Sequence, residues 1–200
     1  MTDATDEVVG RAGDRRAELL DGATAWAAEN GIATLSLRPL AAALGTSDRM
    51  LVYYFGSRDR LVEAIAGHAA EGIAAVMASI GPAGTSRSAR TWLDQCWELF
   101  GDPAARPALA VLFELDALGL RQPGAPRAAA AGVAARWSAV VDDALAALGV
   151  PARRRSGGLT AVVAGAIVGI ALEALLADEP VRPAGAITTL ARLIDAERSS

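Results

Sequence analysis

Lysine is absent from this 200-residue chain, and cysteine and histidine occur only once each. All 19 basic residues are therefore arginine. They stand against 23 acidic residues, and a formal net charge of −4 gives no overall basic field to indicate a nucleic-acid or membrane partner. The single cysteine, Cys96, excludes a disulfide framework within the chain and favours a reducing, cytoplasmic setting. The amino terminus lacks the basic head and apolar stretch of a signal peptide, which leads to the same expectation.

The chain also lacks the short motifs of common enzyme classes. It contains neither a G-x-S-x-G nucleophile elbow nor a glycine-rich phosphate loop, and no spacing of His, Cys and Asp suits a metal ion. The only histidine, His68, and Cys96 fall on different predicted helices without a third group to complete a catalytic set. We therefore expect a protein that is not an enzyme and that has no cofactor and no metal.

Strand patterns are missing as well, whereas apolar residues recur at helical spacing through nearly the whole chain. Apolar residues make up 52% of the sequence, which is enough for a substantial core. Gly, Pro and Asn punctuate the helical runs. Beyond residue 56, the predicted helices are one that Ser57 caps and that ends before Gly81, and then about Ser88–Phe100, Ala105–Leu120, Arg127–Leu148, Leu159–Ala177 and Ala184–Glu197. The sequence predicts an all-α protein.

Two short helices, capped by Ser36 and Ser47, have the spacing of a helix-turn-helix. They follow a first helix that ends at Asn30-Gly31. Ala41 is the small residue that two steeply crossing helices need, and Gly45 allows a turn with positive φ. The residues expected to face inward are Leu40, Leu44, Leu51 and Tyr54. The alternative is an ordinary helical hairpin in a core, because Ala-x-x-x-Gly alone is common.

The order of features around this turn resembles the tetracycline-repressor (TetR) family of bacterial transcription regulators. The resembling span runs from about Arg15 to Ile65 and includes Gly-Ile, a Ser-Leu-Arg-led helix, Ala-x-x-x-Gly-x-Ser, Tyr-Tyr-Phe and Ser-Arg-Asp-x-Leu. The resemblance implies an N-terminal three-helix DNA-binding domain, residues 1–60. It also implies a larger C-terminal helical domain, residues 61–200, that binds an effector and forms the dimer.

The resemblance further implies which side chains meet a double-stranded DNA operator. Tyr54 and Phe55 would pack inward, whereas Tyr53 would point outward to a phosphate or sugar. Arg38 and Arg58 would grip phosphates, and residues at the start of the third helix would approach bases. The predicted DNA-binding residues are Ser36, Arg38, Thr46, Ser47, Arg49, Met50, Tyr53 and Arg58.

Two residues depart from the family pattern. Asp48 stands where many relatives carry Lys, and Val52 replaces an aromatic residue that is common there. Residues 1–60 also contain nine acids and seven arginines, a poor balance for non-specific DNA attraction. DNA binding would therefore depend on local arginine placement, including the N-terminal Arg11, Arg15 and Arg16. We expect modest, steeply salt-dependent affinity.

In the C-terminal region, large side chains collect on predicted helices that would hold the unknown small-molecule effector. The predicted ligand-binding residues are Trp92, Cys96, Trp97, Phe113, Trp137 and Glu173. Plain core packing is the alternative for each tryptophan. A buried acid facing a cavity would favour a cationic or hydrogen-bond-donating ligand. The acids within these apolar helices are Glu114, Asp116, Asp142 and Glu173, and a solvent-facing position is the alternative for each of them.

The apolar stretch 159–177, LTAVVAGAIVGIALEALLA, is almost long enough to span a bilayer and contains the G-x-x-x-G pair Gly165 and Gly169. Thr160, Glu173 and the many alanines argue against insertion. In the TetR interpretation this helix and the last one form a four-helix dimer interface. We therefore predict a homodimer without a membrane partner.

The sequence thus predicts a ligand-responsive transcription regulator, a repressor that binds a pseudo-palindromic operator as a homodimer and that an effector releases. The alternative is a helical small-molecule-binding or scaffold protein that keeps the helix-turn-helix shape without binding DNA. Asp48 and the acidic N-terminal segment favour that alternative.

Overall fold

The computed structural model describes residues 3–80, 88–177 and 182–198, with the side chains of residues 13–75, 88–156, 158–177 and 182–198. Within those ranges the regular elements are helices and there is no strand, so the all-α prediction is confirmed. The helices are α1 Asp3–Asn30, α2 Leu37–Ala43, α3 Asp48–Phe55, α4 Arg58–Ile80, α5 Ala89–Gly101, α6 Arg106–Arg121, α7 Ala125–Ala147, α8 Ala152–Arg154, a kinked segment Arg155–Leu159, α9 Thr160–Leu176 and α10 Ala184–Arg198.

The chain packs into two compact units. The first comprises Met1–Ala69 and Ala110–Ala131, and the second comprises Ala70–Leu109 and Gly132–Ser200. Helices α4, α6 and α7 each contribute residues to both units. The functional division into residues 1–60 and 61–200 stays a prediction.

The first unit is built on α1. Leu19, Ala23 and Ala27 recur every four residues on this helix and are buried, as an amphipathic helix requires. The helix ends where predicted, at Asn30, and Gly31 follows with φ 85°. The other buried apolar side chains of the unit include Ile32, Leu40, Leu51, Phe55, Leu61, Ile65, Val111 and Leu115.

In the second unit, α5 packs against α9 and α10. Helix α9 is apolar on nearly every side and buries Val163, Ile167 and Ala171. The Arg106 guanidinium donates to the Ala174 and Leu175 carbonyls at 3.3 and 2.9 Å, and so occupies backbone oxygens that the end of α9 leaves without partners. None of the helices in the described part of the chain combines the length and apolar character that crossing a membrane requires.

Candidate nucleic-acid interface and ligand-binding residues

Helices α2 and α3 meet at a tight turn with the geometry that the sequence predicts. Gly45 has φ 62°, a conformation that favours glycine, and the Thr46 N–H donates to the Ala41 carbonyl at 2.9 Å. Ala41 is 3% exposed, so this small side chain is buried next to the turn. Leu40 and Leu51 are fully buried beside it. Local residue choice therefore fixes the orientation of α3.

The start of α3 is capped. The Ser47 Oγ accepts a hydrogen bond from the Met50 N–H at 3.2 Å, as predicted for an N-cap serine. The Asp48 carboxylate lies in the first turn and accepts from the Arg49 N–H at 2.9 Å. That position is favourable for a negative charge, because the N-terminal end of a helix carries partial positive charge. Asp48 therefore stabilises the helix but adds an acid to its exposed end.

One side of α3 is open to solvent. Tyr53 is 74% exposed, and the apolar side chains of Met50 and Val52 are 38% and 42% exposed. Ser47 and Arg49 are exposed on the same short helix and its cap. Thr46, in the turn, is partly exposed. An exposed face of mixed polar and apolar groups on a short helix suits base edges in a major groove.

Two of the three consecutive aromatic residues lie as the sequence predicts, whereas Tyr54 is less buried than expected. Phe55 is buried, and the Arg16 guanidinium carbon lies 5.0 Å from the centre of its ring, which is a cation–π contact. Tyr54 is partly exposed and meets the Tyr53 ring edge-to-face, with 5.1 Å between the centroids. The inward position of Phe55 and the outward position of Tyr53 are confirmed. A Tyr53 contact with DNA stays a prediction.

The predicted phosphate-binding residues differ in how free they are. Ser36 and Arg38 are exposed, and Ser36 occupies the N-cap position of α2 without a side-chain capping bond. Arg58 is instead engaged within the protein. Its Nε donates to the Leu35 carbonyl at 2.8 Å, and its Nη2 donates to the Ala33 carbonyl at 3.4 Å. Because both bonds go to backbone oxygens, Arg58 holds the segment that enters α2, a role that the sequence did not indicate.

Comparison with known proteins supports the resemblance of the helix-turn-helix region to the TetR family. The profile of the bacterial regulatory proteins of the tetR family matches residues 19–65, which contain α2, α3 and the ends of α1 and α4 that flank them. These residues are the part of the chain in which the sequence resemblance lies. No curated protein sequence matches the chain significantly.

Solved structures of other proteins resemble the chain over nearly its whole length. A TetR-family member from Streptomyces coelicolor A3 is 29% identical, with a TM-score of 0.70, and the match covers 90% of this chain and 97% of that protein. The multidrug-binding protein EbrR, complexed with proflavin, is also 29% identical, with a TM-score of 0.67 and coverages of 90% and 99%. A protein from Rhodococcus sp., described as a TetR-family transcriptional regulator, is 23% identical and has the same fold, with a TM-score of 0.72. The match covers 93% of this chain and 99% of that protein.

The predicted ligand-binding residues differ in the unit to which they belong and in their exposure. Phe113 belongs to the first unit, and the other five belong to the second. In the second unit, Trp92 and Cys96 are 0% and 2% exposed on α5, and burial raises the pKa of the Cys96 thiol to about 12. Trp97 and Trp137 are partly exposed, and Glu173 is exposed.

A hydrogen bond and an aromatic contact hold the ring system of Trp137. Its Nε1 donates to the Ala164 carbonyl of α9 at 3.2 Å, and its ring meets Phe100 of α5 edge-to-face, with the centroids 6.1 Å apart. These contacts fix the indole between three helices of the second unit, so Trp137 has a structural role whether or not it touches a ligand.

The acids on the apolar helices have protein partners or face solvent. Asp142 accepts hydrogen bonds from Thr160 Oγ1 at 2.8 Å and from Arg155 Nε at 3.0 Å, and these hold the pKa of its carboxyl below the usual value. Glu114 accepts from the Ile32 N–H. Asp116, like Glu173, is exposed. The partners of Asp142 and Glu114 were not among the sequence-based predictions, because helical spacing does not reveal them.

Proposed function

We propose that this chain is a ligand-responsive, DNA-binding transcription regulator, a repressor that occupies its operator as a homodimer. The observation that carries the proposal is the open face of α3: Arg49, Met50 and Tyr53 are exposed on a capped helix whose opposite side is buried. A short helix that carries arginine, apolar and hydroxyl groups on its open face has the form that enters a major groove. The family match over residues 19–65 supports the same function.

Each exposed group on α3 has a partner in duplex DNA. The Arg49 guanidinium can donate two hydrogen bonds to a guanine edge, and the Met50 side chain can contact a thymine methyl group. The Tyr53 hydroxyl and the exposed Arg38 would reach phosphates, which set register and affinity rather than sequence preference. Because arginine contacts with phosphates would supply much of the affinity, binding would weaken steeply as salt rises, and the exposed Asp48 carboxylate at the start of the same helix would lower the affinity.

A symmetric dimer would place two α3 helices in successive major grooves, roughly 34–36 Å apart. The proposed contact surface is an exposed stripe on α9 that contains small and apolar residues at helical spacing: Val162, Gly165, Gly169, Leu172 and Leu176. A Cβ added at Gly165 or Gly169 would meet nothing within 4 Å, so a second helix can approach the backbone there. Leu193 of α10 is also exposed and would extend this apolar surface.

The effector would bind the C-terminal region and favour a conformation in which the two α3 helices are wrongly spaced for the operator. Release then depends on the difference in effector affinity between the two conformations. Helix α4 runs from Arg58 into the second unit and is the proposed link. The complexes of EbrR with proflavin and with malachite green, at 29% and 27% identity, support a small-molecule effector.

The direct test is fluorescence anisotropy of the purified chain with DNA from immediately upstream of its own gene, with unrelated DNA as competitor. We expect saturable binding of two protomers per site that resists the competitor. Arg49→Ala should weaken binding about tenfold or more, because it removes a base-edge contact. Arg136→Ala removes the same charge from an exposed position on α7 and is the matched control.

The rival proposal is a helical small-molecule-binding protein that has lost DNA binding. It is favoured by the exposed carboxylate of Asp48 on α3 and by Arg58, whose guanidinium is bound to backbone oxygens. Equal, weak binding to both DNAs that Arg49→Ala leaves unchanged would reject the operator function and select this rival.

A further inference from the structure

The indole of Trp92 has an unusual environment. Its side chain is 0% exposed on α5, in the part of the second unit where α5 packs against α9 and α10, and its Nε1 donates to no acceptor. A buried donor without a partner is rare in folded proteins, because it has lost its bond to water without a replacement. Trp137 offers the contrast, since it is more exposed and yet donates to the Ala164 carbonyl.

Among the side chains that the structure describes, one other buried nitrogen lacks a hydrogen bond. This is Arg154 Nε, which still lies 3.2 Å from Glu197 Oε2 as an ion pair. Trp92 Nε1 has no such charge partner. The unmet polar group in the interior of the described chain is therefore an uncharged donor.

The acids that could have attracted a cation are already accounted for. Asp142 is bonded by Thr160 and Arg155, and Asp94 is bonded by Arg90 and Arg182. Glu173 is exposed. The structure thus lacks a buried, unmatched acceptor among these groups, and the reasoning that favoured a cationic effector loses its support in the second unit.

The buried neighbours of Trp92 along α5 also disfavour an anion. Cys96 lies one turn further along α5 and is buried with it, and this burial raises the pKa of the Cys96 thiol to about 12. Leu93 and Phe100 on the same helix are buried apolar side chains. A full charge of either sign is costly in such surroundings, whereas an uncharged oxygen is tolerated once it is hydrogen-bonded.

We propose that Trp92 Nε1 is the anchoring donor of the effector site, and that the effector is an uncharged, mainly apolar molecule with an oxygen acceptor, such as an aromatic ketone, ester or amide. This deepens the proposed function, on which it rests. The indole is completely covered here, so the acceptor reaches Nε1 only in a conformation where the packing around α5 has opened. The effector would then select a second conformation, as release from an operator requires.

Three probes that share one skeleton test the proposal: acetophenone, cumene and α-methylbenzylammonium carry an oxygen acceptor, a methyl group and an ammonium group at the same position. Binding is followed on the full-length chain by the indole N–H signals of ¹⁵N-tryptophan in two-dimensional NMR. Trp92→Phe identifies the Trp92 signal and removes its donor. Trp26→Phe makes the same substitution on α1 in the first unit and is the control.

We expect acetophenone to move the Trp92 N–H signal downfield and to bind about fivefold more tightly than cumene, as one hydrogen bond predicts. Trp92→Phe should abolish that preference, and Trp26→Phe should preserve it. An unmoved Trp92 signal at the solubility limit of acetophenone overturns the proposal. Binding of α-methylbenzylammonium that is as tight as that of acetophenone, or tighter, also overturns the proposal. So does a Trp92→Phe variant that still binds acetophenone more tightly than cumene.

The test remains possible even where Trp92→Phe does not fold, because the Trp92 signal of the wild-type chain can be assigned by elimination. Trp26→Phe, Trp97→Phe and Trp137→Phe identify the signals of the other three tryptophans. Anisotropy on the same samples separates this proposal from the DNA-binding function. Operator binding without a Trp92 response rejects the ligand class alone. A Trp92 response without operator binding rejects the regulator function and leaves the ligand site standing.

Discussion

The side chain of Glu114 and the backbone of Ile32 are joined by a hydrogen bond across 82 positions of the sequence. The Glu114 Oε2 lies 2.5 Å from the Ile32 nitrogen, at the turn that follows α1. Gly31 precedes it with φ 85°, and a Cβ there would lie 2.9 Å from Glu114 Oε1. Helix α6 is therefore fastened to the entrance of the helix-turn-helix, and glycine leaves room for the carboxylate.

Removing this acceptor should destabilise the first unit. Glu114→Ala leaves the N–H of fully buried Ile32 without a partner, so we expect the free energy of unfolding to fall by about 1–2 kcal/mol. Glu114→Gln keeps an oxygen at the same place and should lose less than half as much. Urea denaturation followed by circular dichroism gives both values. A Glu114→Ala variant as stable as the wild type would mean that the bond contributes nothing.

Arg58 holds the same segment from α4, and a second prediction follows. Arg58→Ala should lower the free energy of unfolding by about 1 kcal/mol, because the Leu35 and Ala33 carbonyls lose a charged donor that is itself partly exposed. Arg58→Lys should recover little of this, since an ammonium group lacks the planar fork of a guanidinium. Denaturant titration of the two variants measures the difference, and full recovery by Lys would contradict the positioning role.

The sequence-based prediction that Arg58 contacts phosphate can be tested on the same variants. A lost phosphate contact reduces the slope of log affinity against log salt by about 0.9, whereas a lost positioning contact weakens binding without changing the slope. Anisotropy titrations at several salt concentrations distinguish the two effects, with Arg58→Lys retaining the charge in either case.

The local features of α3 could be predicted from the sequence, whereas the long-range contacts of Glu114 and Arg58 could not. Ser47, Gly45 and Ala41 act on neighbours within a few residues, so local spacing predicted the cap, the positive φ and the close crossing, and the structure confirms all three. The exposed Tyr53 and buried Phe55 followed from the same helical spacing together with the family resemblance.

Long-range contacts were beyond that reasoning. From the sequence alone, Gly22 is only a residue of low helix propensity within α1. In the structure a Cβ there would lie 2.7 Å from Leu44 Cδ2, so the glycine lets the end of α2 approach α1. The partners of Glu114 and Arg58 depend on tertiary packing in the same way. The kinked segment Arg155–Leu159, in which Gly158 has a non-helical φ of 112°, was also missed, because arginine and glycine there carry no apolar period.

A third prediction concerns Cys96. Because its thiol is 2% exposed and its pKa is raised to about 12, the native chain should not react with a thiol reagent at pH 8, whereas the chain unfolded in guanidinium should react at its one cysteine. With a thiol reagent that releases a chromophore on reaction, absorbance gives the number of reacted thiols in the native and in the unfolded chain. Rapid reaction of the native chain would show that α5 opens readily.

The same pKa shift predicts a loss of stability in alkali. Between the ordinary value of about 9 and the folded value of about 12, the unfolded thiol loses its proton while the folded thiol keeps it, so stability falls as the pH rises through that window. Cys96→Ala lacks the group, and its unfolding free energy should decline less steeply from pH 9 upward. If the unfolding free energies of the wild type and of Cys96→Ala declined in parallel with pH, the raised pKa of the folded thiol would be contradicted.

The last prediction separates folding from assembly at α9. Gly165 is exposed and a Cβ there would meet nothing within 4 Å, so Gly165→Arg should leave the fold of the protomer intact. Across a symmetric interface the bulky side chain appears twice, at about 1 kcal/mol or more for each copy, and the dimer dissociation constant should rise at least about thirtyfold. Gly72→Arg introduces the same side chain at an exposed, equally open glycine on α4 and should leave the constant unchanged. Sedimentation equilibrium measures the assembly and circular dichroism verifies the helices. A Gly165→Arg chain that remains as dimeric as the Gly72→Arg chain would move the interface away from the α9 stripe.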